Sequence, residues 1–187
     1  MYFVGLFSCF LALEDLWNIR FQVDLFDATS GLAASMNSML VSGLTRGGVI
    51  RGLWATRSGL TAPSRVFSAL ALITMTWLLS VSLSTSMAFL AMFVLGFGLG
   101  AAPLGLSFVR RELPEKTATV ATPLLLTFVF VGGGLLMSLV GEDLSGVSQL
   151  IFLNYQQSMS FFIVPLAMAA ALSLLIRTPA REISPGG

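Results

Sequence analysis

Six segments of mostly apolar residues follow one another along this chain, each about 20 residues long, which is the length a helix needs to cross a bilayer. Charged residues make up only 10% of the sequence and hydrophobic residues 56%, whereas soluble domains average roughly 25% charged residues. A water-soluble core of this size has no room for so much apolar surface. The sequence therefore predicts an integral membrane protein whose solvent is the lipid bilayer.

The apolar segments predict an all-α, polytopic fold in which residues 1–187 form a single bundle of six transmembrane helices. The predicted helices, A to F in chain order, cover residues 2–22, 29–53, 65–83, 86–109, 118–140 and 157–177.

The distribution of basic residues predicts the orientation of this bundle. Eight basic residues flank one side of it, in the B–C connection, the D–E connection and the C-terminal tail: Arg51, Arg57, Arg65, Arg110, Arg111, Lys116, Arg177 and Arg181. The opposite side carries only Arg20. Because cytoplasmic loops are enriched in lysine and arginine, both termini are predicted to be cytoplasmic. The membrane is predicted to be the cytoplasmic (inner) membrane.

The composition argues against several classes of protein. The net charge is +1, which leaves no basic footprint for a nucleic acid. The chain has no histidine and a single cysteine, Cys9, so the usual ligands of zinc and haem are lacking. The sequence also has no nucleophile–base pair with histidine and no phosphate-binding loop, and we therefore expect no enzymatic activity, no metal and no cofactor.

Glycines cluster within predicted helices D and E. Gly96 and Gly100 are four residues apart in helix D, and residues 132–134 of helix E are all glycine. Small residues at a spacing of four let helix backbones approach closely. Glycine also permits bending where a helix must move. The sequence leaves both roles open.

Two neighbouring carboxylates, Glu14 and Asp15, lie inside predicted helix A. Ionisable residues within a membrane mark substrate or proton pathways by default. Glu14, Asp15 and Trp17 are therefore candidates for solute binding or proton coupling, and Glu14 is favoured because Trp17 and Asn18 lie one turn along its face. The alternative is a carboxylate pair at the outer edge of the helix that reaches interfacial water and pairs with an arginine.

A stripe of small polar residues follows one face of predicted helix B. Its members fall within a sector of roughly 100° at helical spacing: Gly31, Ser35, Ser38, Ser42, Thr45 and Arg46. A serine-lined face that ends in an arginine suits a polar cavity, where it would bind an anionic solute or pair with a carboxylate. Ser38, Ser42 and Arg46 are the candidate residues. The alternative is a helix–helix interface in which serine serves as a small residue and Arg46 extends to the cytoplasm.

The stretch SGLTRGGVIRGLWATRSG, residues 42–59, resembles the loop signature G-x-L-a-D-r-x-G-r of the major facilitator superfamily. The matching positions are Gly52, Trp54, Ala55, Arg57 and Gly59. Thr56 and Leu60 depart from the signature, because the family has an aspartate and a basic residue there. Six helices with both termini inside, the signature after the second helix and a fourth helix rich in glycine resemble the C-terminal half of such a transporter.

This resemblance implies a secondary active transporter that moves a small polar solute across the membrane by alternating access, with proton-coupled symport as one option. It assigns Gly52, Arg57 and Gly59 to the cytoplasmic loop signature. The family normally carries two six-helix halves around a central cavity, with the solute bound at their interface, and so the resemblance implies a second half as partner. The alternatives are a membrane interaction module without transport, or a truncated remnant, either of which needs a second six-helix half.

The predicted orientation is testable with single cysteines placed in a Cys9→Ala background. We expect a membrane-impermeant maleimide to label the Asp27→Cys variant on intact cells, because the A–B connection is predicted to lie outside. The Ser58→Cys variant should react only after the membrane is permeabilised, since the B–C connection is predicted to be cytoplasmic. The reverse labelling pattern would contradict the orientation.

Overall fold

The computed structural model describes an all-α protein, as predicted. The residues it describes are 2–14, 22–23, 29–81, 84–100, 109, 113–145 and 152–175. Three helical stretches are long and apolar enough to cross a membrane: Thr61–Ser80, Glu115–Leu144 and Gln156–Leu175. These stretches indicate a membrane protein, and they support three of the six predicted spans. Tyr2–Ala12 and Thr85–Leu99 are shorter apolar helices, and Ser30–Ser58 is not among the stretches found in the described residues.

Within the described ranges, the helices in chain order are α1 (Tyr2–Ala12), α2 (Ser30–Ser58), α3 (Thr61–Ser80), α4 (Thr85–Leu99), α5 (Glu115–Ser145), α6 (Phe152–Met159) and α7 (Ile163–Leu175). A 3₁₀ turn, Ser160–Phe162, joins α6 to α7 in one continuous helical segment, called α6–α7 below. The described part of α1 covers the first half of predicted helix A, and α4 ends at Leu99, before the predicted end of helix D. Residues 13–14 extend α1 by a π turn, and much of the remainder of both predictions lies outside the described residues.

Helix α2 is longer than predicted helix B and ends at a glycine. At its start, the Thr29 hydroxyl accepts a hydrogen bond from the Leu32 N–H at 3.3 Å, as an N-cap does. At its end, Gly59 adopts a φ of 76°, and its N–H donates to the Ala55 carbonyl at 3.0 Å. Glycine is favoured there because a Cβ atom disfavours positive φ. Because nothing breaks the helix before Gly59, Gly52 and Arg57 lie in the helix rather than in a loop.

Prolines explain the other boundaries. Pro63 occupies the first turn of α3, where a helix does not need its N–H, and α3 therefore begins at Thr61 rather than at residue 65. Helix α5 begins directly after Pro114 and continues through Pro123, so it extends beyond predicted helix E at both ends. In α6–α7, Pro165 has no N–H to offer to the carbonyl four residues earlier, and the 3₁₀ turn lies just before it.

The closest contact in the bundle is the backbone contact between α2 and α4. It depends on two pairs of glycines four residues apart, Gly43 and Gly47 on α2 and Gly96 and Gly100 at the end of α4. A Cβ atom added to any of these four residues would overlap the backbone of the facing helix. On Gly100, for example, it would lie 2.5 Å from the amide nitrogen of Gly48. In these helices the glycines therefore serve close packing.

Small residues also line the other tight contacts. A Cβ atom on Gly98 of α4 would lie 2.7 Å from the amide nitrogen of Ala71 on α3. On α1, Gly5 faces the Pro165 carbonyl, and the Ser8 hydroxyl donates to the Val129 carbonyl of α5 at 2.9 Å. Each small residue lets a neighbouring helix approach at a point where a larger side chain would hold it away.

The helix contacts repeat between the two halves of the chain. Helix α2 packs on α4 as α5 packs on α1, and α3 packs on α4 as α6–α7 packs on α1. The contact of α3 with α7 joins the third segment of each half, so it stays the same when the two halves are exchanged. Each half of the chain therefore supplies three helical segments, α1 to α3 and α4 to α7, and the two sets make equivalent contacts. Helices α1 and α4 have equivalent places in this pattern, because each packs against the second and third segments of the other half.

The glycine contact predicts a position-specific effect of one methyl group. We expect Gly47→Ala to lower the free energy of unfolding by about 1–3 kcal/mol, because the added methyl overpacks the α2–α4 contact. Gly52→Ala is the matched control on the same helix, since nothing lies within 4 Å of a Cβ atom there. Thermal unfolding of both variants in detergent measures the difference, and equal midpoints would contradict the packing role.

Candidate functional site

The polar stripe predicted from the sequence forms the outward face of α2. Ser35, Ser38, Thr45 and Arg46 are exposed, and Ser42 is half-buried. The opposite face of the helix is buried against its neighbours and carries Ala33, Met36, Leu40, Gly43 and Gly47. In the described part of the chain, no helix covers the stripe in the way that α4 covers the opposite face. Its serines do not serve as small contact residues between described helices.

The hydroxyl groups of the stripe are held by their own helix. Ser35, Ser38 and Thr45 each donate to the carbonyl four residues earlier, at 2.9, 3.0 and 3.0 Å. Such bonds satisfy a hydroxyl proton without a second helix. The hydroxyl oxygens keep lone pairs that accept hydrogen bonds from water or a solute.

Arg46 lies in the middle of α2, and its side chain turns away from the end of the helix at Ser58. Its Nη1 donates to the Ser42 hydroxyl, and its guanidinium carbon lies 5.8 Å from the centre of the Phe93 ring of α4. Ser42 is one turn closer to the start of α2, so the side chain points toward that start. Arg46 is also 12 residues before the end of the helix, or about 18 Å at about 1.5 Å per residue. This geometry differs from the alternative in which Arg46 extends toward the end of α2 that was predicted to be cytoplasmic.

The glycine contact places Phe93 beneath the arginine. A Cβ atom on Gly43 would overlap the Phe93 carbonyl, and so the two backbones meet three residues away from Arg46. An aromatic face near a guanidinium contributes about 0.5–1 kcal/mol at an exposed site. It orients the cation without using any of its N–H donors.

Glu14 lies at the end of α1, close to the first half of α2. It is half-buried, and its main-chain carbonyl accepts a hydrogen bond from the Asn37 side-chain amide at 3.5 Å. Adjacent residues of a helix point about 100° apart, so Asn37 lies off the stripe, and this contact places the end of α1 against a different face of α2. Asp15 and Trp17 lie outside the described residues.

The residues of the loop signature lie at the far end of α2 from the stripe. Arg57 is exposed in the last turn, Gly52 faces open space, and Gly59 ends the helix. Arg65, at the start of α3, donates to the Leu174 carbonyl at the end of α7 at 3.1 Å. These residues do not contact Arg46.

Arg51 is a fully buried charge that the sequence reasoning counted only as a flanking basic residue. Its side chain has no exposed surface. Its Nη2 donates to the Ser64 hydroxyl at 2.7 Å and lies 3.4 Å from the Tyr2 hydroxyl. The rings of Tyr2 and Phe3 lie 5.6 Å from its guanidinium carbon. Arg51 thus connects the starts of α1 and α3 to the end of α2.

The sequence contained a signal for this burial. Arg51 continues the row of Leu40, Gly43 and Gly47 at a spacing of three to four residues, which is the face that α2 buries. The burial is incompletely compensated, because Nε and Nη1 of Arg51 have no hydrogen-bond partner among the described residues. Two aromatic faces supply part of the missing solvation.

The hollows of the bundle lie away from the stripe. A small apolar cavity of about 10 Å³ is enclosed by side chains of α1, α2, α3, α4 and α6. An open groove at the start of α5 is lined by Glu115, Thr119, Thr122 and Pro123. Neither contains Arg46, which faces outward from these helices.

In comparison with known proteins, no protein-family model matches this chain, and no curated protein matches it in sequence.

The Arg51 contacts predict a coupled effect on stability. We expect Ser64→Ala to lower the free energy of unfolding by about 1.5–3 kcal/mol, because a buried cation loses its shortest hydrogen bond. Ser80→Ala on the same helix is the control, since that hydroxyl is exposed and bonds only the Thr76 carbonyl. In an Arg51→Met background the cost of Ser64→Ala should fall to the control value. An unchanged cost there, measured by denaturant unfolding, would show that Ser64 acts independently of Arg51.

Proposed function

We propose that this chain is one six-helix half of a secondary transporter of the major facilitator type, which moves a small polar solute by alternating access. The observation that carries this proposal is the outward polar stripe of α2 with Arg46 at the middle of the helix. Both termini are cytoplasmic in this proposal, and the membrane is the cytoplasmic membrane.

The physical argument starts from the cost of placing this stripe against lipid. An arginine at the centre of a membrane helix costs about 2.5–3.5 kcal/mol on insertion scales, and such residues face a bundle interior or a water-filled cavity. In the described structure the interior of the six-helix bundle lies on the other side of α2. A second half facing the stripe would enclose Arg46 and the serines in a polar cavity near the bilayer midplane, where transporters of this kind bind their solute.

The repeated contact pattern supports the same proposal. Each half of a major facilitator transporter contains two inverted three-helix repeats. Two equivalent three-helix repeats would give the repeated contact pattern described above, with α1 and α4 in equivalent places. This pattern and the resemblance of residues 52–59 to the signature support the proposal.

Proton coupling has its candidate residues on the first helix. The Glu14 backbone contacts Asn37 in the first half of α2, and Glu14 is half-buried. An ionisable residue within a membrane helix is a candidate for a proton pathway, and Glu14 has that role in this proposal. Asp15 and Trp17 stay candidates on sequence grounds.

The test is whether water reaches the stripe from both sides of the membrane. In a Cys9→Ala background, we expect Ser38→Cys and Thr45→Cys to react with a small hydrophilic methanethiosulfonate in membrane vesicles of either orientation. Alternating access opens one cavity to each side in turn, so both orientations should react. Ile73→Cys on α3 is the control, because that apolar side chain is 65% exposed and faces lipid in this proposal.

Two other outcomes would count against transport. Reaction from one side only would indicate a static vestibule. No reaction from either side, with the protein stable in the membrane, would indicate that a packed partner covers the stripe, as in an interaction module.

A further inference from the structure

We propose that the solute is an oxyanion, a carboxylate or a phosphate, whose negatively charged group binds the guanidinium edge of Arg46. The inference rests on the proposed function, since it names the class of solute for the same cavity. It follows from how Arg46 is held, from the charge around it and from the hydroxyls beside it.

The guanidinium is held by its face and along one N–H, which leaves its remaining edge for a ligand. A guanidinium has five N–H donors in a planar fork. Among the described residues, Arg46 uses Nη1 for the Ser42 hydroxyl and lies over the Phe93 ring. Since a ring contact uses no donor, most of the fork stays available. A planar fork matches a carboxylate or a phosphate with two parallel hydrogen bonds.

The charge at this site is positive and lacks a counter-ion in the described structure. The described hydrogen bond and ring contact of Arg46 are to neutral groups, Ser42 and Phe93. In the proposed cavity Arg46 lies within the membrane, where an anion that accompanies a cation stabilises it. An anionic solute that binds in the cavity pairs its charge with that of Arg46. This pairing favours an anionic solute over a neutral or cationic one of the same size.

The neighbouring hydroxyls fit the rest of such a solute. Ser38 lies two turns from Arg46 toward the start of α2, and Ser35 lies one turn further, both exposed on the same face. Their protons are bonded to the helix backbone, so their oxygens act as acceptors. The stripe therefore offers one cationic anchor and a row of acceptors, which suits an oxyanion that also carries hydroxyl or amide donors.

Protection of a cysteine beside Arg46 tests the proposal. We would use the full chain in native membrane vesicles, with Thr45→Cys in the Cys9→Ala background and a neutral hydrophilic methanethiosulfonate. The probes are acetate, benzoate, citrate and inorganic phosphate, with acetamide, benzamide and benzylammonium as neutral and cationic counterparts and chloride to match ionic strength. We expect at least one oxyanion to slow the reaction about tenfold at ten times its dissociation constant, and the counterparts to leave the rate unchanged.

Two Arg46 variants assign the effect. Arg46→Gln should abolish the protection, whereas Arg46→Lys should retain a weaker form because it keeps the charge but loses the fork. Protection that persists in Arg46→Gln would overturn the proposal. A reaction that is slow without any probe in vesicles of anionic lipid, fast in vesicles of neutral lipid and unaffected by the probes would assign the anion to a lipid headgroup and would overturn a soluble solute.

The outcomes separate this inference from the proposed function. A cysteine that reacts from both sides while none of the oxyanions protects it leaves the transport cavity in place and refutes the anionic solute. That result would also be expected if a carboxylate of the second half pairs with Arg46. A cysteine that never reacts refutes the transport cavity itself.

Discussion

The absence of side chains at four glycines determines much of this structure. Gly43 and Gly47 on α2 meet Gly96 and Gly100 on α4 at backbone contact distance, and this contact fixes the rotation of α2 about its axis. Once one face of α2 is committed to α4, the serines and Arg46 must lie on the roughly opposite face, because helical spacing separates the two rows. The same rotation brings Phe93 beneath Arg46 and directs Arg51 inward. The orientation of the site and the packing of the bundle therefore both depend on the glycine contact between α2 and α4.

The two central arginines of α2 show how differently one helix can treat the same residue type. Arg46 and Arg51 are five residues apart, which separates them by about 140° around the helix. Arg51 is surrounded by the chain's own rings and hydroxyls and holds three helices together. Among the described residues, the side chain of Arg46 contacts one hydroxyl, that of Ser42, and one aromatic ring, that of Phe93. The contacts of Arg51 give it a structural role, whereas Arg46 is exposed on the stripe that we propose to line a cavity.

The sequence predicted what depends on local composition and spacing. Apolar length gave the all-α class and most of the helices, and helical periodicity placed Ser38, Ser42 and Arg46 on one face. The helix ends were less accurate, since Gly59 and Pro63 act through backbone geometry that apolar length does not report. The burial of Arg51 was missed because counting basic residues treats every arginine near a helix end alike. Which face of α2 is covered depends on the match between its glycines and those of α4, a property of two segments together. Asp15 and Trp17 stay as sequence predictions only.

The hydrogen bonds of α1 have a consequence for how the protein is made. The Ser8 hydroxyl finds its acceptor at Val129, and the Cys9 thiol lies 3.9 Å from the Phe162 carbonyl, so their partners are 121 and 153 residues further along the chain. At about 5–20 residues per second, the ribosome takes about 6–24 s to reach the partner of Ser8. During that interval α1 is without two of the helices that it contacts in the finished bundle. These contacts of α1 therefore form late in synthesis, because α5 and α7 are made after it.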